Sequence, residues 1–183
     1  TPPISALYLD GRDDFIALGK IADLELNCDF TVEAWVKIHE SAEGKTMKAE
    51  QPPALAVLGS KALSNIDSSQ SILCLGIKDK RPYFSFGGTT QPLHPNWNLD
   101  QEWHHLIWQY EAKSKTMRIL VDGIQIAKKN EQPAFTGSGE ARIGYCQEWN
   151  NDSQKLEDRY FAGGIGEIRI WRSVRSEEEI RAY

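Results

Sequence analysis

Between "MRILV" and "IQIAKK", residues 117–121 and 124–129, stands the dipeptide Asp122-Gly123. Each flanking run places apolar residues at alternate positions, a period that an extended strand converts into two distinct faces. A two-residue connection between such runs is a type I′ turn, whose central residues both need positive φ, and Asp-Gly adopts that geometry readily. The segment therefore predicts two neighbouring antiparallel strands in one register, and any fold for the chain has to contain that hairpin.

The same period recurs from end to end. In "FTVEAWVKI", residues 30–38, Phe30, Val32, Ala34, Val36 and Ile38 fall on one face, with Thr31, Glu33, Trp35 and Lys37 on the other. This is the pattern of a half-buried strand. "SILCLGI", "PYFSFGG", "HHLIWQY" and "EIRIW" read in the same way. The helical signal lies in "SEEEIRAY", where Ser176 is the N-cap and Glu179 its reciprocal partner in a capping box, turning Ile180 and Tyr183 toward the body of the domain. Many short strands with turn signals between them predict an all-β fold, a two-sheet antiparallel β-sandwich of the jelly-roll kind with a short C-terminal helix. With 183 residues, no internal repeat and no Gly/Ser linker, residues 1–183 are expected to form a single domain.

Composition narrows the function classes. A net charge of -5 argues against a general nucleic-acid binder, whose footprint is a basic patch. No apolar run approaches the roughly 20 residues of a membrane span. The opening "TPPISALYLDG" lacks the charged start and apolar run of a signal peptide, so the chain is expected to be soluble, either cytosolic or a mature or excised fragment. Its three cysteines, Cys28, Cys74 and Cys146, are widely spaced without a CxxC pair. They signal neither a disulfide framework nor a zinc site and read as core or near-surface thiols.

"ALYLDGRDDFIAL", "FTVEAWVKI", "WHHLIWQY", "RILVDGIQIA" and the closing "FAGGIGEIRIWRSVRSEEEIRAY" together resemble the laminin-G-like and pentraxin-like domains of the concanavalin A-like lectin superfamily. The resemblance covers nearly the whole chain and implies a two-sheet β-jelly roll. It also implies calcium, held in pentraxins between an early Asp and a later acidic loop. "NIDSSQSILCLGIKDKRPYFSFGG" resembles the early segment and makes Asp67 the candidate ligand. Counted from Gly144, Gln147 and Glu148 match the amide and acid of the later cluster, and Glu157 falls near its downstream acid. The chain departs from the family where Cys146 takes the place of a bridging carboxylate, and where Glu33 takes the place of a disulfide cysteine.

Calcium is a hard cation that takes six to eight oxygens. Asp67, Gln147, Glu148, Asp152, Glu157 and Asp158 are chemically suitable ligands, and the alternative is a solvated acidic connection from Gln147 to Asp158. Asp10, Asp13 and Asp14 form a second acidic cluster, read as a turn in which Asp and Gly accommodate tight backbone geometry. Of six tryptophans, Trp35, Trp103, Trp108 and Trp171 sit in or beside strand patterns and read as packing. Trp97 and Trp149 sit in polar connections and, with Asn150 and Asn151, are the sugar-contact candidates, because an indole stacks on a pyranose while amides bond its hydroxyls. No strand carries the paired acids of a glycoside hydrolase, and His104 and His105, being adjacent, point to opposite faces.

The chain is therefore expected to be a non-catalytic, lectin-like carbohydrate-binding domain, with Ca²⁺ as the cofactor that the resemblance implies. A protein-interaction or adhesion module is the alternative, and a glycoside hydrolase the weaker one. The expected partner is a carbohydrate or protein ligand, with no nucleic acid and no membrane span; a homo-oligomer is left open. The resemblance favours an extracellular or secreted setting.

Overall fold

The computed structural model describes residues 2–39, 55–61, 72–86, 92–150 and 153–182, with the backbone alone for 55–57, 61, 86 and 148–150. The strands are β1 (Leu7–Asp10), β2 (Ile16–Lys20), β3 (Phe30–Ile38), β4 (Leu55–Lys61), β5 (Leu73–Lys78) and β6 (Arg81–Phe86). They continue as β7 (His104–Glu111), β8 (Thr116–Val121), β9 (Ile124–Lys129), β10 (Glu140–Ile143), β11 (Tyr145–Asn150), β12 (Lys155–Tyr160) and β13 (Ala162–Trp171), before helix α1 (Glu177–Arg181). One sheet runs β1-β13-β3-β7-β8-β9 and the other β2-β10-β4-β5-β6, while among the described residues β11 and β12 pair only with each other. The two-sheet antiparallel sandwich with one short helix is the architecture that the alternation predicted.

The core lies between the two sheets. Phe30, Val32, Ala34 and Val36 of β3 and Leu106, Trp108 and Tyr110 of β7 meet Leu58 of β4, Leu73, Leu75 and Ile77 of β5 and Phe84 of β6. Each large apolar side chain taken fully out of water contributes roughly 1.5–3 kcal/mol. The indole N–H of buried Trp108 donates to the Tyr83 carbonyl at 3.0 Å, so no polar atom of that ring is stranded.

The Asp122-Gly123 turn forms as the sequence requires, with φ of 52° and 80° and Val121 paired to Ile124. Asp122 also ties the turn to β7. Its carboxylate accepts the His105 backbone N–H at 2.8 Å and sits 2.8 Å from Nδ1 of His104, whose Nε2 is 3.0 Å from Asp100. Burial alone would lower the His104 pKa, but its bonds to Asp122 and Asp100 outweigh that and raise it.

Two expectations change. The polar face of β3 is not half exposed: Thr31 and Glu33 have 0% exposure. The residues after β13 fold across it. Thr31 donates its hydroxyl to the Ser173 carbonyl at 2.8 Å, Gln109 donates to the Arg175 carbonyl at 2.7 Å, and Ile180 packs on Ile107 and Leu120. The Ser176–Glu179 capping box starts α1 as expected and fixes Ile180 in that contact.

Nor is Gln147–Asp158 a loop. Register pairs Gln147 with Asp158, Glu148 with Glu157, and Trp149 with Leu156, so the segments flanking residues 151–152 are paired strands whose facing backbone groups bond each other. Polar side chains suggested a loop because they suit solvent, and a surface hairpin suits solvent equally well. Gly144, at φ 81°, turns the chain out of β10, and the hairpin crosses the outer face of the five-stranded sheet. Cys146 packs there against Cys74 and Tyr83. Gly59 makes the close crossing feasible, since a Cβ on it would overlap the Tyr145 carbonyl oxygen and the Cys146 Cβ.

Gly59→Ala is expected to destabilise the fold by about 1–3 kcal/mol through overpacking, measured by urea unfolding. The His104 pKa is raised above the ordinary histidine value of about 6.5, so its contribution to stability is complete below that pH and is lost as pH rises through the raised value. The melting temperature should fall over that window, and His104→Asn should flatten the fall.

Candidate functional site

Two polar constellations lie on the outer faces of the sandwich. The first surrounds Glu33 on β3. Its carboxylate is 3.0 Å from His105 Nε2 and accepts the Trp171 indole N–H, while Trp35 stacks on His105 at 5.2 Å and the Arg175 guanidinium lies 4.2 Å over the Trp171 ring. Burial alone would raise the Glu33 carboxyl. The His105 and Trp171 hydrogen bonds, with the His105 and Arg169 charges, outweigh it and hold the group below the usual carboxylate range. Glu33 is fully buried between His105 of β7 and Trp171 of β13, so this network ties strands together rather than presenting its carboxylate to a ligand.

The second constellation is open. It forms on the rim of the five-stranded sheet where β2 and β10 meet the β11–β12 hairpin. Ile16 pairs with Ile143, which places Phe15 beside the exit of β10. The Arg142 guanidinium carbon lies 4.0 Å from the Phe15 ring centroid and 4.7 Å from that of Tyr145, while its Nε donates to Glu140 at 2.6 Å. Tyr145 meets Tyr160 edge-on at 5.3 Å, donates its hydroxyl to Asp158 at 2.7 Å, and Gln147 donates its amide to the same oxygen at 3.2 Å. Burial first, then the bond to Asp158 and that carboxylate's charge, push the Tyr145 hydroxyl well above its ordinary pKa. Burial, Asp158 and Asp13 raise Tyr160 against the opposing Arg142 charge. Both phenols therefore stay protonated at neutral pH, and Tyr145 remains a fixed donor to Asp158.

Asp158 is exposed, Gln147 and Tyr160 are partly so, and the Phe15 ring keeps 39% of its surface. The rim thus offers an oriented carboxylate, a planar amide and aromatic surface side by side. That combination suits a ligand with an apolar face and several hydroxyls.

The residues singled out in the sequence distribute unevenly. Gln147 and Asp158 come together in the rim. Glu157, next to Asp158 on β12, points to the opposite face; its carboxylate accepts the Ser153 hydroxyl at 3.1 Å and pairs with Arg159 at 2.6 Å. Glu148 stands opposite Glu157 in the register, and Trp149 and Asn150 stand opposite Leu156 and Lys155, with their backbones alone described. Asp67, Asn151 and Asp152 lie outside the described residues. Trp97 is 44% exposed beside β6, at the far edge of the sheet from Phe15, since Leu99 bonds back to Lys80. Asp10, Asp13 and Asp14 converge within 4.8 Å on the surface, and the Asp10 and Asp14 carboxylates accept backbone N–H groups of their own turn. Phe15, Arg142, Tyr145 and Tyr160 were missed. The alternation of Tyr145 and Gln147 against Asp158 and Tyr160 was the signal that could have shown a hairpin face.

A family model described as the concanavalin A-like lectin/glucanases superfamily matches residues 10–181. No curated protein matches the chain. Among solved structures, it is similar to the CBM40 of Ruminococcus gnavus IT-sialidase bound to α2,3-sialyllactose, at TM-score 0.70 and 15% identity over 97% of this chain and 95% of that one. It is also similar to domain 4 of the extracellular GH43 arabinanase AbnA from Geobacillus stearothermophilus in complex with arabinotriose, at TM-score 0.60 and 13% identity over 97% and 80%. A heptameric SAP-like pentraxin from Limulus polyphemus aligns at TM-score 0.57 and 10% identity over 98% and 77%. At these identities the likeness is one of fold.

Glu33→Ala would leave the Trp171 indole and His105 imidazole without their acceptor. It should cost about 1–3 kcal/mol for each orphaned donor, read by chemical denaturation.

Proposed function

The chain belongs to the concanavalin A-like lectin/glucanases superfamily, and on that footing we propose that it is a non-catalytic carbohydrate-binding domain whose site is the Phe15–Arg142–Gln147–Asp158–Tyr160 rim. The observation that carries this reading is the exposed Asp158 carboxylate, held by the Tyr145 hydroxyl and the Gln147 amide beside the open Phe15 ring. In it, Asp158 accepts ligand hydroxyls, the Gln147 carbonyl and amide read one further hydroxyl, and Phe15 and Tyr160 cover an apolar sugar face. Arg142 holds the rings in place, its side chain 12% exposed and paired with Glu140. Two similar structures, one bound to sialyllactose and one in complex with arabinotriose, support a saccharide as the ligand class.

An extracellular or secreted setting, where glycans are displayed, belongs to the same proposal. No described helix is long and apolar enough to cross a membrane.

A calcium ion at Glu148 and Glu157 is the second reading, favoured by their direct opposition across the hairpin. Their carboxylates have the hard oxygens that calcium takes, and bound there the ion would supply an orienting charge for ligand oxygens. Arg159 already neutralises Glu157, so the ion has to displace a guanidinium.

Binding to a panel of sialylated and neutral oligosaccharides, measured by array and then calorimetry, tests the first reading. Asp158→Ala should weaken binding about tenfold or more, since a hydrogen bond to a charged group contributes about 1.5–3 kcal/mol, and Phe15→Ala should weaken it by roughly two- to tenfold through loss of about 0.5–1.5 kcal/mol of ring packing. A wild-type chain that binds no saccharide, or variants that bind unchanged, would return the domain to protein partners. For calcium, chelator-stripped protein should give heat on titration with Ca²⁺ that Glu148→Gln removes. Silence up to a few millimolar, past the roughly 10⁻⁴–10⁻³ M of weak extracellular sites, would end the second reading.

A further inference from the structure

Cys74 and Cys146 are far apart in the sequence and the fold brings them together. Cys74 lies on the outer face of β5, opposite Gly59 of β4, and Cys146 is the second residue of β11 in the hairpin that crosses that face. Their sulfurs stand 2.9 Å apart, with Cys74 donating its S–H, and the two are 4% and 0% exposed. Gly59 sets this approach: without a Cβ there, Cys146 can press against the sheet. Cys28, by contrast, is exposed and bonds only locally to Asn27.

We infer that Cys74 and Cys146 are a disulfide-forming pair that staples the β11–β12 hairpin to the five-stranded sheet under oxidising conditions. A small-molecule disulfide of the glutathione class is the oxidant. The Cys74 thiolate, the less enclosed of the two, attacks one sulfur of that disulfide and expels a thiolate, leaving a mixed disulfide on Cys74. The Cys146 thiolate then attacks the Cys74 sulfur, forms the Cys74–Cys146 bond and expels the second small thiolate. Two protein thiols are oxidised, one small disulfide is reduced to two thiols, and the two protons pass to the departing thiolates. Attack requires the buried sulfurs to be reached, so the bond forms during folding or on local opening of the hairpin. Once closed, the same packing shields it from reductant. The odd cysteine count resolves into one pair and one exposed thiol.

The bond goes beyond saccharide recognition, yet bears on it, because Cys146 lies between Tyr145 and Gln147, the residues that orient Asp158. It links β11 to the sheet at the base of the rim.

The test uses the full chain, refolded in a buffer of reduced and oxidised glutathione, then denatured and alkylated without reduction. The expected product has the Cys74 and Cys146 peptides joined in a non-reduced map and takes alkyl groups or glutathione only at Cys28. A Cys28→Ser chain should then carry no alkylatable thiol, a mass lower by two hydrogens than its reduced form, and a higher melting temperature than after reduction. The inference is overturned if Cys28 acquires glutathione in the wild type while Cys74 and Cys146 remain alkylatable, or if the bridge found includes Cys28. Since Cys28 is on the surface, Cys28→Ser keeps the core intact and its thiol count alone decides the matter.

Discussion

Strand β3 is buried on its apolar face throughout and on its polar face at Thr31 and Glu33, and the other layers take their places from it. Its apolar face, Phe30 through Val36, closes the core against the five-stranded sheet. Its polar face carries Thr31 and Glu33, which a sandwich would ordinarily leave in water. Burying a carboxylate is costly unless it is hydrogen-bonded and paired. The Trp171 indole, the His105 imidazole and the Arg169 charge supply that compensation, and each arrives from a neighbouring strand. Thr31 extends the network to Ser173 and Arg175 and so holds the segment that leads into α1. Where the resemblance to pentraxins implies a disulfide cysteine, this chain has an acid whose partners join neighbouring strands non-covalently.

On the opposite sheet the organising constraint is steric. The β11–β12 hairpin can cross the outer face only because Gly59 leaves room for the Tyr145 carbonyl and Cys146. Three features depend on that crossing: the exposed rim with Asp158 at its centre, the buried Tyr145 that orients it, and the thiol pair beneath. The C-terminal segment thus covers Thr31, Gln109, Ile107 and Leu120 on the outer face of one sheet, while a polar, aromatic hairpin crosses the outer face of the other.

Much of the fold was legible in the residues. The Asp122-Gly123 turn, the alternation of β3, β5, β7 and β13, and the Ser176–Glu179 capping box are local patterns, and each formed as read. The candidate site was legible only in part. Gln147 and Asp158 were singled out, as calcium ligands, but their partners Phe15 and Arg142 come from other stretches of chain. Tyr145 was overlooked, and Cys146 was read as a thiol without a partner in view, because their roles arise from contacts with Asp158 and with Cys74, at sequence distances that no local period reports.

By itself, then, the sequence determined strand period, turn type, helix cap and the two-sheet class, because each follows from backbone geometry within a few residues. Tertiary structure alone decided which polar residues are buried, which acids converge and which cysteines meet. Alternation states that a side chain lies on one face or the other. It cannot state what covers that face, and here the C-terminal segment covers one sheet while the hairpin crosses the other.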